Sequence, residues 1–151
     1  MRLEKIDRVV VAVESVEEAA KFFDELLGIK FDRTLVGEEQ QVKAKASAIG
    51  LELVESTTPD GPVARFIDSR GEGVYAVIFK VPDLEDAISE MEGKGLRLVG
   101  TMEVGGLKEA MFHPKDSHGM MIMLCEYESA HSATIAATRG TSHTLKGKAV
   151  Q

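Results

Sequence analysis

The chain is poor in the residues that mark several classes of protein. Among its 151 residues there are one cysteine and no tryptophan, and aromatic residues make up only 5%. A single cysteine, Cys125, permits no internal disulfide and no cysteine-based zinc cluster, which indicates a reducing compartment, the cytoplasm. The longest apolar runs, such as residues 9–13, are far too short to cross a bilayer. The charged N-terminus lacks the apolar stretch of a secretory signal.

Basic residues are also scarce relative to acidic ones. Lys and Arg number 18 against 25 Asp and Glu, which gives a formal net charge of −7. An acidic surface disfavours nucleic acid or a membrane as a partner. The 44% hydrophobic and 28% charged content is that of one ordinary globular domain, which we expect over residues 1–128.

The last segment, residues 129–151, differs in composition from the body. It contains three basic residues, no acidic one and few large aliphatic side chains. Such a segment buries too little apolar surface to offset its ordering entropy. The composition predicts a low-complexity, mobile tail. A basic arm that docks on the acidic body or on a partner is the alternative.

An internal repeat organises the body of the chain. Residues 8–17 (RVVVAVESVE) align with residues 76–85 (AVIFKVPDLE) at an offset of 68. Each stretch predicts a strand followed by the start of a helix, with Ser15 and Asp83 as the N-caps.

Three further strands follow each helix. They are predicted at residues 29–31, 41–47 and 51–56 in the first copy, and at residues 96–99, 108–113 and 120–126 in the second. The chain thus reads as two βαβββ modules, residues 4–56 and 73–127, joined by a connector, residues 57–72, with a short helix opened by Pro62. Two such modules predict an α+β fold, a half-open barrel whose concave faces meet, and ligand pockets favour such places.

Period-two alternation predicts which side chains point into the barrel. Val9, Val11 and Val13 suit the helix side of the first strand, and Tyr75 suits that side of its counterpart. The predicted inward set is Ile6, Arg8, Val10, Ala12, Glu52, Val54, Val74, Ala76, Ile78, Met121, Met123 and Cys125. The internal symmetry then puts Arg8, Glu52, Ala76 and Met123 around a common centre.

Four stretches, KIDRVVVAV, GPVARFIDSRGEGVYAVIFKV, GKGLRLV and FHPKDSHGMMIMLCEY, carry a resemblance to a known family. The chain resembles the vicinal oxygen chelate superfamily, which includes glyoxalase I, bleomycin-resistance proteins and ring-cleaving dioxygenases. It looks most like the methylmalonyl-CoA epimerase branch, over most of residues 4–127. The resemblance implies the vicinal oxygen chelate fold of paired βαβββ modules, and a homodimer.

The resemblance also implies a divalent metal held by one residue from each of four strand positions, which fall here on Arg8, Glu52, Ala76 and Met123. Only Glu52 suits a metal. A guanidinium repels a cation, alanine has no donor atom, and a thioether is a poor ligand for a hard ion. The acid and base of the epimerase also lack counterparts, since residues 41–47 offer only lysines and small residues and the other position is Met123. We therefore expect no metal and no other cofactor.

The residues that replace the metal suggest a binding site. Arg8 places a positive charge at the centre, with Glu52 as a counter-ion. Either Arg8 binds the carboxylate or enolate-like oxygen of a ligand, or Arg8 and Glu52 form a satisfied structural pair. The first hypothesis predicts a small organic acid or acyl thioester as the ligand, with Arg8 and Glu52 as candidate catalytic residues. The predicted ligand-binding residues are Arg8, Glu52, Ala76, Met121, Met123 and Cys125.

Two alternatives belong to other functional classes. One is a metal-dependent isomerase, epimerase or lyase of the methylmalonyl-CoA epimerase or glyoxalase type. The other is a protein of the bleomycin-resistance type, which sequesters its ligand and does no chemistry.

Overall fold

A computed structural model describes residues 1–129, Ala133 and the backbone of residues 146–147. Within these residues no helix is long and apolar enough to span a membrane. In this part of the chain the elements are β1 (Lys5–Ala12), α1 (Val16–Leu27), β2 (Leu35–Gly37), β3 (Val42–Ala46), β4 (Leu51–Ser56), α2 (Pro62–Arg70), β5 (Gly73–Lys80), α3 (Leu84–Gly93), β6 (Leu98–Val104), β7 (Leu107–Phe112), a 3₁₀ turn (Pro114–Asp116), β8 (Met121–Glu126) and β9 (Lys146–Gly147).

The strands form one curled sheet in the order β2-β3-β4-β1-β5-β8-β7-β6-β9. The two modules meet at its middle, where β1 pairs antiparallel with β5. In each module the first strand also pairs with the last in parallel, β1 with β4 and β5 with β8. The sheet closes into a half-barrel, which confirms the predicted α+β fold of two βαβββ modules, with α2 in the connector.

Both modules anchor their helix in the same way. Ser15 and Asp83 cap α1 and α3 as predicted, each accepting a hydrogen bond from the backbone N–H three residues later. A second acceptor comes from the closing strand of each module. Glu55 accepts from the first N–H of α1 at 2.9 Å, and Glu126 accepts from the first N–H of α3 at 2.8 Å. These carboxylates sit at the positive end of each helix dipole.

The predicted strand at residues 29–31 is wrong. Those residues form an isolated bridge between Phe31 and Ser47, and the second strand of the module is β2, several residues later. The reason lies in the end of α1, where Gly28 adopts the left-handed conformation with φ 68°. The N–H groups of Gly28 and Ile29 are both taken up by carbonyls of the helix, so the backbone leaves α1 without joining a ladder.

The corresponding strand of the second module is also displaced. It was predicted at residues 96–99 and is β6, which starts at Leu98 and is longer. Leu96 donates its N–H to the carbonyl of Met91 in α3, so this residue still belongs to the helix end.

The two faces of the sheet carry separate cores. The outer face packs against α1 and α3. The concave face holds Val10, Ala12, Ala76 and Ile78, all inward as predicted, and is covered by Val63, Phe66 and Ile67 of α2.

Three parts of the predicted tail are described, and the first is Ser129, which is 6% exposed. Ala133 is 1% exposed and joins the concave core. Residues 146–147 pair with Glu103 and Met102 of β6. The rest of the segment, and with it the predicted mobility, lies outside the described residues.

Two β-bulges at equivalent positions of the repeat interrupt the alternation. The register between β1 and β5 shifts at Asp7 in β1 and at Tyr75 in β5, 68 residues later, so each is an extra residue in its strand. Each bulge reverses the facing of the residue before it. Ile6 and Val74, predicted inward, are therefore 60% and 61% exposed. Tyr75, predicted on the helix side, packs edge to face on Phe66 of α2 with ring centroids 5.1 Å apart.

Gly50, in the turn before β4, lies against the backbone of the bulge at Asp7, and a substitution there tests this contact. Its φ is +94°, and a Cβ built there would lie 2.9 Å from the carbonyl oxygen of Asp7. We expect Gly50→Ala to lower the free energy of unfolding by about 2–3 kcal/mol, because backbone strain adds to a collision with backbone. Gly28→Ala is the matched control, since its φ is +68° but nothing lies within 4 Å of an added Cβ. Urea unfolding measures both, and equal losses would contradict a role for the contact.

Candidate functional site

The candidate site centres on the guanidinium of Arg8, whose side chain is 6% exposed. Its Nε donates to Oδ2 of Asp7 at 2.9 Å, and its Nη1 donates to Oε2 of Glu52 at 3.0 Å. Its Nη2 donates to Oε1 of Glu109. Each nitrogen of the guanidinium therefore faces a different carboxylate.

Three strands supply these carboxylates. The bulge in β1 turns Asp7 toward its neighbour Arg8, so that two successive side chains reach the same place. Glu52 comes from β4, which runs parallel to β1. Glu109 comes from β7, where it is paired with Cys125 on β8. The site thus draws on both modules.

Three carboxylates around one guanidinium leave an excess of negative charge. Lys5 offsets part of it, with its Nζ 3.4 Å from Oδ1 of Asp7. Burial raises the pKa of Glu52 to about 7; the charge of Arg8 opposes this rise, while the charges of Glu109 and Asp7 add to it. Glu52 is therefore the carboxyl that holds a proton for part of the time at neutral pH.

Asp7 is held as an anion by Tyr127. Burial opposes ionisation of Asp7, but the hydrogen bond from Tyr127 Oη, the charge and hydrogen bond of Arg8 and the charge of Lys5 together keep the pKa of Asp7 below its ordinary value. Burial and the bond to Asp7 together raise the pKa of Tyr127, so it remains the donor. Lys80 Nζ lies 4.2 Å from the centroid of the Tyr127 ring.

The structure places the predicted site residues on one face and brings Arg8 and Glu52 into direct contact. Glu52 is the most accessible charged side chain of the site, 14% exposed against 6% or less for Arg8, Asp7 and Glu109. The apolar members of the predicted set are buried in the concave core or packed against it: Ala76, Met121, Met123 and Cys125. Their roles in ligand binding, and those of Arg8 and Glu52 in catalysis, stay predictions.

The side chains at this centre do not fit a divalent metal. Arg8 repels a cation and already engages the oxygen of Glu52, while Ala76 and Met123 offer no oxygen or nitrogen donor. Within residues 1–129 and Ala133, no group of three or more His, Cys, Asp or Glu side chains is placed to hold a metal ion. Cys125 is a free, buried thiol whose pKa is raised by burial, so it stays protonated.

Glu109 and Asp7 were not among the predicted site residues. A signal for Glu109 exists, because it pairs with Cys125, which was predicted to point inward, and paired residues of a ladder share a face. Asp7 has no such signal. Alternation assigns it to the helix side, and only the bulge turns it inward.

Comparison with known proteins adds to this description. Residues 5–124 match the model of the glyoxalase/bleomycin resistance protein/dioxygenase superfamily. The Bacillus subtilis (strain 168) protein YqjC is 28% identical over 130 residues, which cover 82% of this chain and 93% of that one. Mitochondrial methylmalonyl-CoA epimerase of Homo sapiens is 26% identical over 129 residues, covering 81% of this chain and 73% of that one. A solved structure of methylmalonyl-CoA epimerase in complex with methylmalonyl-CoA and NH4+ is 26% identical, with a TM-score of 0.78 and coverage of 87% and 99%.

The pKa of Glu52 predicts a pH dependence of stability. The folded chain keeps this proton up to a pH of about 7, whereas the unfolded chain loses it near the ordinary value of 4.5. The contribution of Glu52 to the free energy of unfolding therefore falls as pH rises from about 5 to about 8, by up to about 3 kcal/mol. Urea unfolding across this range should show that fall in the wild type relative to Glu52→Gln. Glu52→Ala, which also lacks the carboxyl, is the control and should behave like Glu52→Gln; a wild type with the same pH profile as both would refute the assignment.

Proposed function

Because the chain belongs to the glyoxalase/bleomycin resistance protein/dioxygenase superfamily, we propose that it binds a small acyl thioester or organic acid in its half-barrel without a divalent metal. The observation that carries the proposal is the guanidinium of Arg8, which takes up the centre that the family resemblance assigns to a metal. The solved epimerase complex with methylmalonyl-CoA supports a thioester as the ligand class.

Charge favours the thioester over the organic acid. The carboxylates of Asp7, Glu52 and Glu109 outnumber the guanidinium of Arg8, so a ligand carboxylate meets net repulsion. A thioester carbonyl is neutral and accepts a hydrogen bond from a remaining N–H of Arg8 or from protonated Glu52. Glu52, the most accessible of these side chains, is where we place the ligand's polar end.

The apolar part of the ligand belongs against the concave face. Ala76, Met121 and Met123 line that face beside the charged centre. Methionine side chains adapt their shape to what they contact, which suits an acyl chain.

A second candidate is an isomerase that moves a proton on the carbon beside the thioester. A carboxyl whose pKa is raised to about 7 is suited to acid–base chemistry at neutral pH, and Glu52 has that property. In such a step the C–H bond breaks, its proton passes to the ionised Glu52, and its electron pair moves to the thioester oxygen as an enolate. Arg8 is the electrophile that stabilises the enolate oxygen. A water molecule then protonates the enolate carbon from the other face and Glu52 releases its proton to solvent, which completes an epimerisation.

Within this proposal the protein acts in the cytoplasm and as a homodimer. The free thiol of Cys125 supports a reducing compartment. Three apolar side chains of α1, Phe22, Leu26 and Leu27, are 57%, 61% and 63% exposed, and dimer interfaces cover side chains of this kind.

Metal content tests the metal-free part of the proposal. Purified, tag-free protein is incubated with Co²⁺ or Ni²⁺, dialysed exhaustively and analysed for bound metal. We expect far less than one ion per chain, because Arg8 repels the ion and holds Glu52. Glu52→Ala is the control and should give the same result. Stoichiometric metal in the wild type that is lost in Glu52→Ala would restore the metal-dependent alternative.

Ligand binding and proton exchange are tested together in metal-free deuterated buffer. The probes are propionyl-CoA and methylmalonyl-CoA, with free CoA as the control. We expect both thioesters to bind more tightly than CoA by calorimetry, propionyl-CoA at least as tightly as methylmalonyl-CoA, and folded Arg8→Ala to bind at least about tenfold more weakly.

The mass of the recovered thioester separates the two candidate functions. Deuterium at the carbon beside the carbonyl, lost in Glu52→Gln, identifies the isomerase. Binding without deuterium identifies a sequestering protein. Affinities for both thioesters no higher than for CoA would overturn the proposed ligand class.

A further inference from the structure

The three carboxylates around Arg8 are arranged as in a cation-binding site, and the guanidinium of Arg8 occupies the position of the cation. Asp7 and Glu109 are 3% and 1% exposed, and Glu52 is 14% exposed. Buried carboxylates at this depth require a nearby positive charge or a proton. The guanidinium supplies that charge, with one nitrogen toward each carboxylate.

Other basic side chains do not compensate the charges of Glu52 and Glu109. Lys5 reaches Asp7 and is itself 48% exposed, and Lys80 lies over the ring of Tyr127. Within the described part of the chain, the ion pairs of Glu52 and Glu109 are both with Arg8. Glu52 belongs to the first module and Glu109 to the second, so one positive charge joins the two halves.

We propose that the guanidinium of Arg8 takes the place of a bound cation, so that shortening this side chain turns the centre into a cation-binding site. The ligands of that site are the oxygens of Asp7, Glu52 and Glu109. It takes a planar guanidinium ion, which matches the group removed. This inference concerns the cation centre alone and holds whichever ligand the barrel binds.

The experiment measures thermal unfolding of Arg8→Ala in two salts of equal ionic strength. Guanidinium chloride, at a millimolar concentration far below that which unfolds proteins, is compared with NaCl. We expect the melting temperature of Arg8→Ala to lie below that of the wild type and to rise by about 5 °C or more in guanidinium chloride. The wild type, with its own guanidinium in place, should show no such rise.

The matched control is the triple variant Arg8→Ala/Glu52→Gln/Glu109→Gln, which lacks the charges of both glutamates as well as that of Arg8. It should melt above Arg8→Ala and show no rise in guanidinium chloride. A folded Arg8→Ala that does not respond to guanidinium, or a triple variant that responds equally, would overturn the inference.

The triple variant also decides the case in which Arg8→Ala does not fold in any salt. A triple variant that folds then supports the inference, because removing the uncompensated charges restores the fold. One that also fails to fold overturns it, because the packing of the Arg8 side chain would then be what the fold requires. Neither result depends on thioester binding or on the metal content of the wild type, which test the proposed function.

Discussion

The guanidinium of Arg8 is the contact on which both halves of the barrel depend. It binds Glu52 from the first module and Glu109 from the second, on the face that also carries the concave apolar core. Breaking a buried ion pair by removing one partner costs about 3–5 kcal/mol. That amount is a large share of the roughly 5–15 kcal/mol by which a domain is stable. The apolar core closes the barrel, and the charge of Arg8 is what compensates the buried carboxylates of both modules.

The position of that centre follows from a backbone irregularity that occurs twice. The bulge at Asp7 puts two adjacent side chains, Asp7 and Arg8, on the concave face. The equivalent bulge at Tyr75 does the same for Tyr75 and Ala76, and there the result is aromatic packing on Phe66. The repeat has kept its backbone geometry while its two copies carry different chemistry. The charged centre is therefore asymmetric within a symmetric fold.

Local signals account for most of what could be predicted from the sequence. The two modules follow from the caps at Ser15 and Asp83 and from regular alternation, which each need only a few neighbouring residues. Alternation also brought Arg8 and Glu52 to the same face. It placed Ile6 wrongly, because a bulge adds one residue without a local mark in the sequence. Glu109 was absent from the predicted site because the face on which it lies depends on the pairing of β7 with β8. Both strands lie outside the alignment of residues 8–17 with residues 76–85.

Glu109 also contributes, together with burial, to the raised pKa of Glu52 in this ion cluster. With Asp7 and Glu52 alone, the guanidinium of Arg8 and the nearby charge of Lys5 would balance both carboxylates. The third carboxylate removes that balance. Asp7 is held ionised with the help of Tyr127, whereas burial, with the charges of Glu109 and Asp7 added to it, raises the pKa of Glu52 to about 7. Burial and the third carboxylate thus act together, and Glu52 can give or take a proton at neutral pH.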